Sequence, residues 1–208
     1  MSAETKPVHV GAVVFPGFEL LDTFGPLEMF GLLRERASIT MVAETAGSVR
    51  SNQGPHVVAE ATLDGSQGFD VLLVPGGWGT RTLAENPAFL AQLRHACDRA
   101  RIVASVCTGS ALLARAGVLD GRRATTNKAN YKWATSQGPN VTWVPQARWV
   151  EDGRFFTSSG VSAGMDMALA LIAHLFDRET SVQVADGAEY AWHEDKAWDP
   201  FAKLHGLA

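Results

Sequence analysis

Short apolar runs alternate along this chain with longer stretches whose apolar positions recur at helical spacing. The first run, residues 9–15, is closed by Pro16-Gly17 and reads as a buried strand. A helix is predicted over residues 22–36 and a second strand over 39–44. Residues 56–61 read as a short extended piece at a sheet edge. Residues 70–74 form a continuous apolar run that stops at Pro75-Gly76-Gly77. Asn86 and Pro87 supply a cap and a first helical position for a helix over 87–100. Residues 101–106 read as another buried strand, followed by a helix over 108–116 that Gly117 closes. Strands are expected near 142–144, 147–150 and 155–158, and helices near 162–176 and 178–192. The aromatics of Trp198-Asp199-Pro200-Phe201 predict an ordered tail, since apolar rings are costly to leave in water.

Continuous apolar strands alternating with helices predict an α/β fold, with a mostly parallel sheet covered by helices on both faces. Such sheets bind ligands outside the carboxyl ends of their strands. At 208 residues the chain is expected to form one domain. No repeat, low-complexity tract or linker interrupts it.

Composition narrows the function. Hydrophobic residues make up 46% and charged residues 19%, ordinary for a compact protein. The net charge of −4, with no basic block, argues against nucleic acid as a partner. No apolar run approaches the roughly 18 residues that would span a membrane. Residues 1–7 are polar and do not read as a signal peptide. Cys97 and Cys107 form neither a disulfide framework nor a spacing suited to metal, so a reducing cytoplasm is the expected setting.

Three motifs carry chemistry. In Ala104-Ser105-Val106-Cys107-Thr108-Gly109-Ser110 a strand ends, Cys107 occupies the turn and a helix begins, the layout of a nucleophile elbow. Alone, Cys107 would read as a small buried hydrophobe. In this context it reads as a nucleophile, with the helix N-terminus favouring its thiolate. Cys97 lies mid-helix and reads as structural. The second motif, Pro75-Gly76-Gly77-Trp78-Gly79, allows close backbone approach. The amides of Gly77 and Thr108 could there hold a developing negative charge. No Lys-Ser/Thr follows, which excludes a phosphate-binding P-loop. The third is Asp22, which as a lone acid before a helix would be an N-cap. It also follows the first strand closely enough to face Cys107, and in an apolar pocket its pKa would rise and it would shuttle a proton. Glu19 and Glu28 are its competitors, ranked below it. His193 reads as a surface residue.

Together, in this order, the motifs resemble those of the ThiJ/PfpI superfamily, which is class I glutamine-amidotransferase-like. The resemblance runs from Val8 to about Ala202. Within it the chain is most similar to the isonitrile hydratase group, through Phe15-Pro16, Leu21-Asp22, Gly25-Pro26, Pro75-Gly76-Gly77, the Cys107 elbow, the Gly121–Thr126 stretch and Ser159-Gly160-Val161-Ser162-Ala163-Gly164-Met165-Asp166. The resemblance implies a flavodoxin-like three-layer α/β/α sandwich with Cys107 as nucleophile and Asp22 as its proton-transfer partner. Thr108, Gly76, Gly77, Trp78 and Asn127 would form the substrate pocket. It implies hydration of isonitriles to N-substituted formamides with no metal or organic cofactor, a small-molecule substrate, and a homodimer. Two departures matter. The protease-like branch has His where Thr108 stands, so peptidase activity is not expected. Many relatives have His where Asn127 stands, which changes the hydrogen-bonding groups of the pocket. Two other readings use the same cysteine: glyoxalase-type hydration of α-oxoaldehydes, and a redox or ligand sensor. Some relatives fuse this domain to a helix-turn-helix module; with Ala208 as the last residue, none is expected here.

Overall fold

A strand that is apolar on both faces must be covered on both, and that requirement organises this molecule. The computed structural model describes residues 6–65 and 68–208; most of the polar N-terminal segment, read above as carrying no signal peptide, lies outside them. The first half contains β1 (Val8–Val13), α1 (Leu20–Gly31), β2 (Ala37–Ala43), β3 (Gly47–Arg50), β4 (His56–Ala59), β5 (Ala61–Thr62), β6 (Val71–Val74), α2 (Gly79–Leu83) and α3 (Pro87–Arg99). The second half contains β7 (Ile102–Ser105), α4 (Gly109–Arg115), β8 (Arg123–Ala124), α5 (Tyr131–Ser136), β9 (Thr142–Trp143), β10 (Trp149–Asp152), β11 (Phe155–Ser158), α6 (Ala163–Leu175), α7 (Arg178–Gly187) and α8 (Pro200–Leu204).

Seven strands form the main sheet in the order β10-β11-β7-β6-β1-β2-β5. All its pairings are parallel except β10 with β11. Successive residues of each strand serve opposite cores. Val13, Leu72, Val74 and Val103 pack with Phe89, Leu93 and Cys97 of α3 and Leu112 of α4. Val10, Ala12, Leu73 and Ala104 pack with Leu27 and Phe30 of α1, Met167 of α6 and Val184 of α7. This is the flavodoxin-like three-layer arrangement. Among the described residues no helix is long and apolar enough to cross a membrane.

Several boundaries differ from the sequence reading for local reasons. The first helix stops at Gly31, a poor helix former, and Arg34, at φ 54°, turns the chain toward β2. Residues 56–61 are not one edge strand: β4 pairs antiparallel with β3, and only β5 joins the sheet, on β2. Strand β10 lies two residues later than expected, because Ala147 accepts a bond from Lys128 and Arg148 donates its backbone N–H to Lys196. Helix α7 ends at Gly187 because Tyr190, Trp192 and His193 all turn toward Asp166. The α3 cap is as expected, with Asn86 Oδ1 accepting from Ala88 and Phe89 at 3.1 and 3.2 Å. The tail is ordered, though not through its rings: Trp198 and Phe201 are half exposed, whereas Asp199 and Ala202 are buried.

Candidate active site

Four adjacent strands, β11, β7, β6 and β1, end at one edge of the sheet, and the loops that leave them build the site. Cys107 follows β7 at φ 58°, a left-handed conformation rare for a side chain with a Cβ and worth about 1–3 kcal/mol of strain. Its surroundings fix it there. Its N–H donates to Ser159 O at 2.9 Å. Its carbonyl accepts from the Ser110 and Thr126 hydroxyls, each at 3.0 Å. Only glycine fits at position 109, where a Cβ would lie 2.2 Å from Val74 O. Strand, strained cysteine and α4 thus form the expected elbow.

The glycine loop after β6 brings Asp22 to the elbow. Asp22 sits in the first turn of α1, fully buried, and caps nothing; Gly76 N–H donates to its Oδ2 at 2.8 Å. Its Oδ1 has no hydrogen-bond partner, and the Cys107 thiol is close enough to stabilise the charged carboxylate. Burial is the dominant influence and raises the Asp22 pKa from 3.8 to about 7, with Glu19 adding to it and Gly76 and Cys107 opposing it. Of the competitors, Glu19 lines the crevice and bonds to Asn52 and Gln53, while Glu28 is exposed on α1.

The resting sulfur differs from the expected thiolate. Burial first, and the Asp22 charge second, push the Cys107 thiol well above its ordinary value. The Thr108 and Val161 N–H groups and the Thr108 hydroxyl pull the other way without prevailing. Among the described residues that line the crevice there is no imidazole or ammonium, and a short helix terminus does not offset the desolvation of the sulfur. The ground state is therefore a neutral thiol beside a carboxyl poised near neutrality.

The expected anion hole is also rearranged. Gly77 N–H is engaged by Thr108 Oγ1 at 3.2 Å, and Gly76 N–H is committed to Asp22. The donors aimed at the sulfur are those of Thr108 and Val161. Val161, strained at φ 38°, stands in the Ser159–Asp166 stretch that carries the resemblance, but the sequence reading gave it no role, since an apolar side chain does not announce a backbone donor. Arg81 was missed as well. Its guanidinium stacks 4.3 Å from Trp78 and 4.4 Å from Trp133 and donates to Asn130 at 2.7 Å, closing one side of the crevice. Trp78 lines the crevice with 62% of its surface exposed. Asn127 also lines it, and its Oδ1 accepts from Asn130 N at 2.8 Å.

The crevice holds only about 140 Å³. A larger cavity of about 450 Å³, around Phe15, Ala43, Leu83 and Phe89, contains neither Cys107 nor Asp22. Cys97 is sealed in α3, its thiol pushed up to about 12 by burial, as suits a structural residue. His193 is half-buried beside Asp166, outside the crevice. Among the described residues no cluster of three or more His, Cys, Asp or Glu could hold a metal ion.

A mostly parallel sheet with a strained cysteine elbow beside a buried acid from the first turn of α1 defines a class, and the chain belongs to it: residues 8–174 match the DJ-1/PfpI family. Among its relatives, the isonitrile hydratase of Pseudomonas putida is 35% identical over 185 residues, which cover 88% of this chain and 79% of that protein. The HTH-type transcriptional regulator GbdR of Pseudomonas aeruginosa is 32% identical over 87% of this chain but over only 50% of the regulator. A ThiJ/PfpI family protein from Pseudomonas syringae superposes with a TM-score of 0.80 at 33% identity, covering 88% of this chain and 75% of that one.

Proposed function

We propose that this protein is a single-domain, cysteine-dependent hydratase that converts isonitriles to N-substituted formamides, with Cys107 as nucleophile and Asp22 as proton carrier. The observation that carries the reading is the buried Cys107–Asp22 pair at the end of a narrow crevice, with the Asp22 pKa near 7. Likeness to the Pseudomonas putida isonitrile hydratase supports it.

The isonitrile carbon ends a linear group slim enough for a crevice of about 140 Å³. Asp22, as carboxylate, accepts the thiol proton while Sγ bonds to that carbon, and then returns the proton to the same carbon. The product is a thioimidate, R–N=CH–S–Cys107. Water adds to its carbon, with one water proton passing through Asp22 to nitrogen. The C–S bond then breaks, and the remaining hydroxyl proton returns to sulfur, releasing R–NH–CHO. The sum is R–NC plus water to formamide, and no electrons change hands. Residues Thr108 and Val161 steady the sulfur when it is negative, and Gly76 holds the carboxyl in place.

The rival chemistries fit less well. Hydration of an oxoaldehyde places charge on oxygen, and Gly77 N–H, which would meet it, is engaged by Thr108. A peroxide sensor needs a thiolate at rest, and burial disfavours one here. A homodimer and a cytoplasmic setting belong to the same proposal; Leu21 and Phe24, exposed on α1 at 41% and 42%, suit a self-associating face. The test is conversion of a simple alkyl isonitrile by purified protein, followed as formamide. Turnover is expected to vanish in Cys107→Ala; unchanged turnover in that variant would overturn the proposal.

A further inference from the structure

At about 140 Å³ the crevice takes the reacting group with a small substituent, so a bulkier substituent must extend beyond it. Two of its walls, Asn127 and Val161, are shared with a second chamber of about 220 Å³. Phe201 and His205, near the C-terminal end of the sequence, also line that chamber. The family match ends at residue 174, so this wall is built by a segment outside it.

The wall is held in place. Buried Asp199 donates its N–H to Gln146 O at 2.8 Å, and its Oδ1 accepts from Phe201 N at 2.9 Å. Its Oδ2 lies 3.9 Å from Arg148. These contacts fix the start of α8, where Phe201 lines the chamber. Lys128 also lines the chamber, but its ammonium is turned inward onto Thr125 Oγ1 and Ala147 O at 2.8 and 2.6 Å. Among the described residues no carboxylate lines the chamber. A cationic group would therefore find no counter-charge on the chamber wall, whereas an uncharged apolar group would meet Phe201, Val161 and Ala129.

We propose that this chamber receives the substituent on the isonitrile nitrogen, that it selects uncharged apolar groups up to one six-membered ring, and that Phe201 sets this preference. The proposal rests on the hydratase reading for its substrate. A dry cavity of about 150 Å³ already accommodates benzene, so a ring fits. Crevice and chamber together reach the lower end of small-molecule pockets, roughly 300 Å³.

The test compares Phe201→Ala, Phe201→Trp and, as a control on α8, Leu204→Ala, whose parent side chain is 73% exposed and lines neither space. Two readouts are taken. The first is the ratio of kcat/KM for cyclohexyl isonitrile to that for methyl isonitrile. The second is the ratio of Cys107 alkylation rates by N-cyclohexylmaleimide and N-methylmaleimide, which needs no turnover. Phe201→Ala is expected to lower both ratios about tenfold. Phe201→Trp should shift them by narrowing the chamber, and Leu204→Ala should leave them unchanged. Ratios unmoved by either Phe201 variant, or moved equally by Leu204→Ala, overturn the proposal. Absent isonitrile turnover with shifted maleimide ratios sinks the hydratase reading alone and leaves the chamber as the subsite beside Cys107.

Discussion

Replacing Asp22 by Asn tests the site through stability as well as activity. Burial raises the Asp22 pKa from 3.8 to about 7, a shift of about three units. Each unit is worth about 1.4 kcal/mol, so ionising this group in the folded protein costs about 4 kcal/mol more than in the unfolded chain. The sign follows from proton binding. Between pH 3.8 and about 7 the folded protein keeps a proton that the unfolded chain has released. Stability from this group therefore falls as pH rises through that window, and the loss is complete above it. Asparagine does not ionise, and its side-chain oxygen can still accept the Gly76 N–H. Asp22→Asn should match the parent near pH 4 and exceed it by about 2–4 kcal/mol at pH 8, or roughly 5–15 °C in Tm for a chain of this size. Turnover should be lost at every pH. Urea or thermal melts of both proteins from pH 4 to pH 8 measure the gap. A gap that does not change with pH, or a variant less stable than its parent at pH 8, would refute the reasoning.

Other perturbations probe the same geometry. Asp22→Asn also removes the charge that raises the Cys107 thiol, so iodoacetamide should alkylate Cys107 several-fold faster at pH 8, as read by intact-mass spectrometry. Gly76→Ala would place a Cβ 2.6 Å from Thr108 N and Oγ1 and 2.9 Å from Asp22 Oδ2. Displacing the pair should cost about 100-fold or more in kcat/KM, while circular dichroism shows the fold retained. Asp166 is fully buried and accepts from Arg148, Tyr190 and the His193 backbone, with Arg148 Nε at 2.6 Å. Asp166→Ala leaves Arg148 without its closest counter-charge and should destabilise by about 3–5 kcal/mol in denaturant melts.

What the sequence disclosed was local in origin. The central strands β1, β2, β6 and β7, the α3 cap at Asn86 and the elbow at Cys107 each depend on a few neighbouring residues, and these are present. The pairing of Asp22 with Cys107 was legible because the carboxyl ends of parallel strands lie at one edge, so a residue soon after β1 meets one just after β7. Features assembled from distant segments were not. Val161 reaches the sulfur only because β11 lies beside β7, and Arg81 becomes a wall only between Trp78 and Trp133. The hairpin of β3 and β4 was missed because its short, polar strand, Gly47–Arg50, carries little apolar pattern. The charge state of the sulfur was misjudged for another reason. A helix N-terminus can be read from sequence, but the depth at which the sulfur is buried cannot, and burial is the larger effect here.

That protonated sulfur has a mechanistic consequence. Where a relative has an imidazole next to the elbow, charge separation could store a ready thiolate; Thr108 offers only a hydroxyl and an amide. A thiol of raised pKa is scarcely ionised at neutral pH, which slows indiscriminate reaction with oxidants and electrophiles. Once ionised, the same sulfur is the stronger nucleophile, because nucleophilicity rises with basicity. Such a site works only if deprotonation accompanies bond formation, with a base already in contact and poised near pH 7, as Asp22 is. Addition to an isonitrile meets that condition: the carbon that accepts the sulfur must also accept a proton, so the proton taken from the thiol has a destination within the same reacting group. An acyl transfer lacks it, since charge there collects on an oxygen, and the Gly77 amide is engaged elsewhere. The protonated sulfur beside its base and the occupied Gly77 amide therefore favour the same chemistry for independent reasons, one through the proton and the other through the charge.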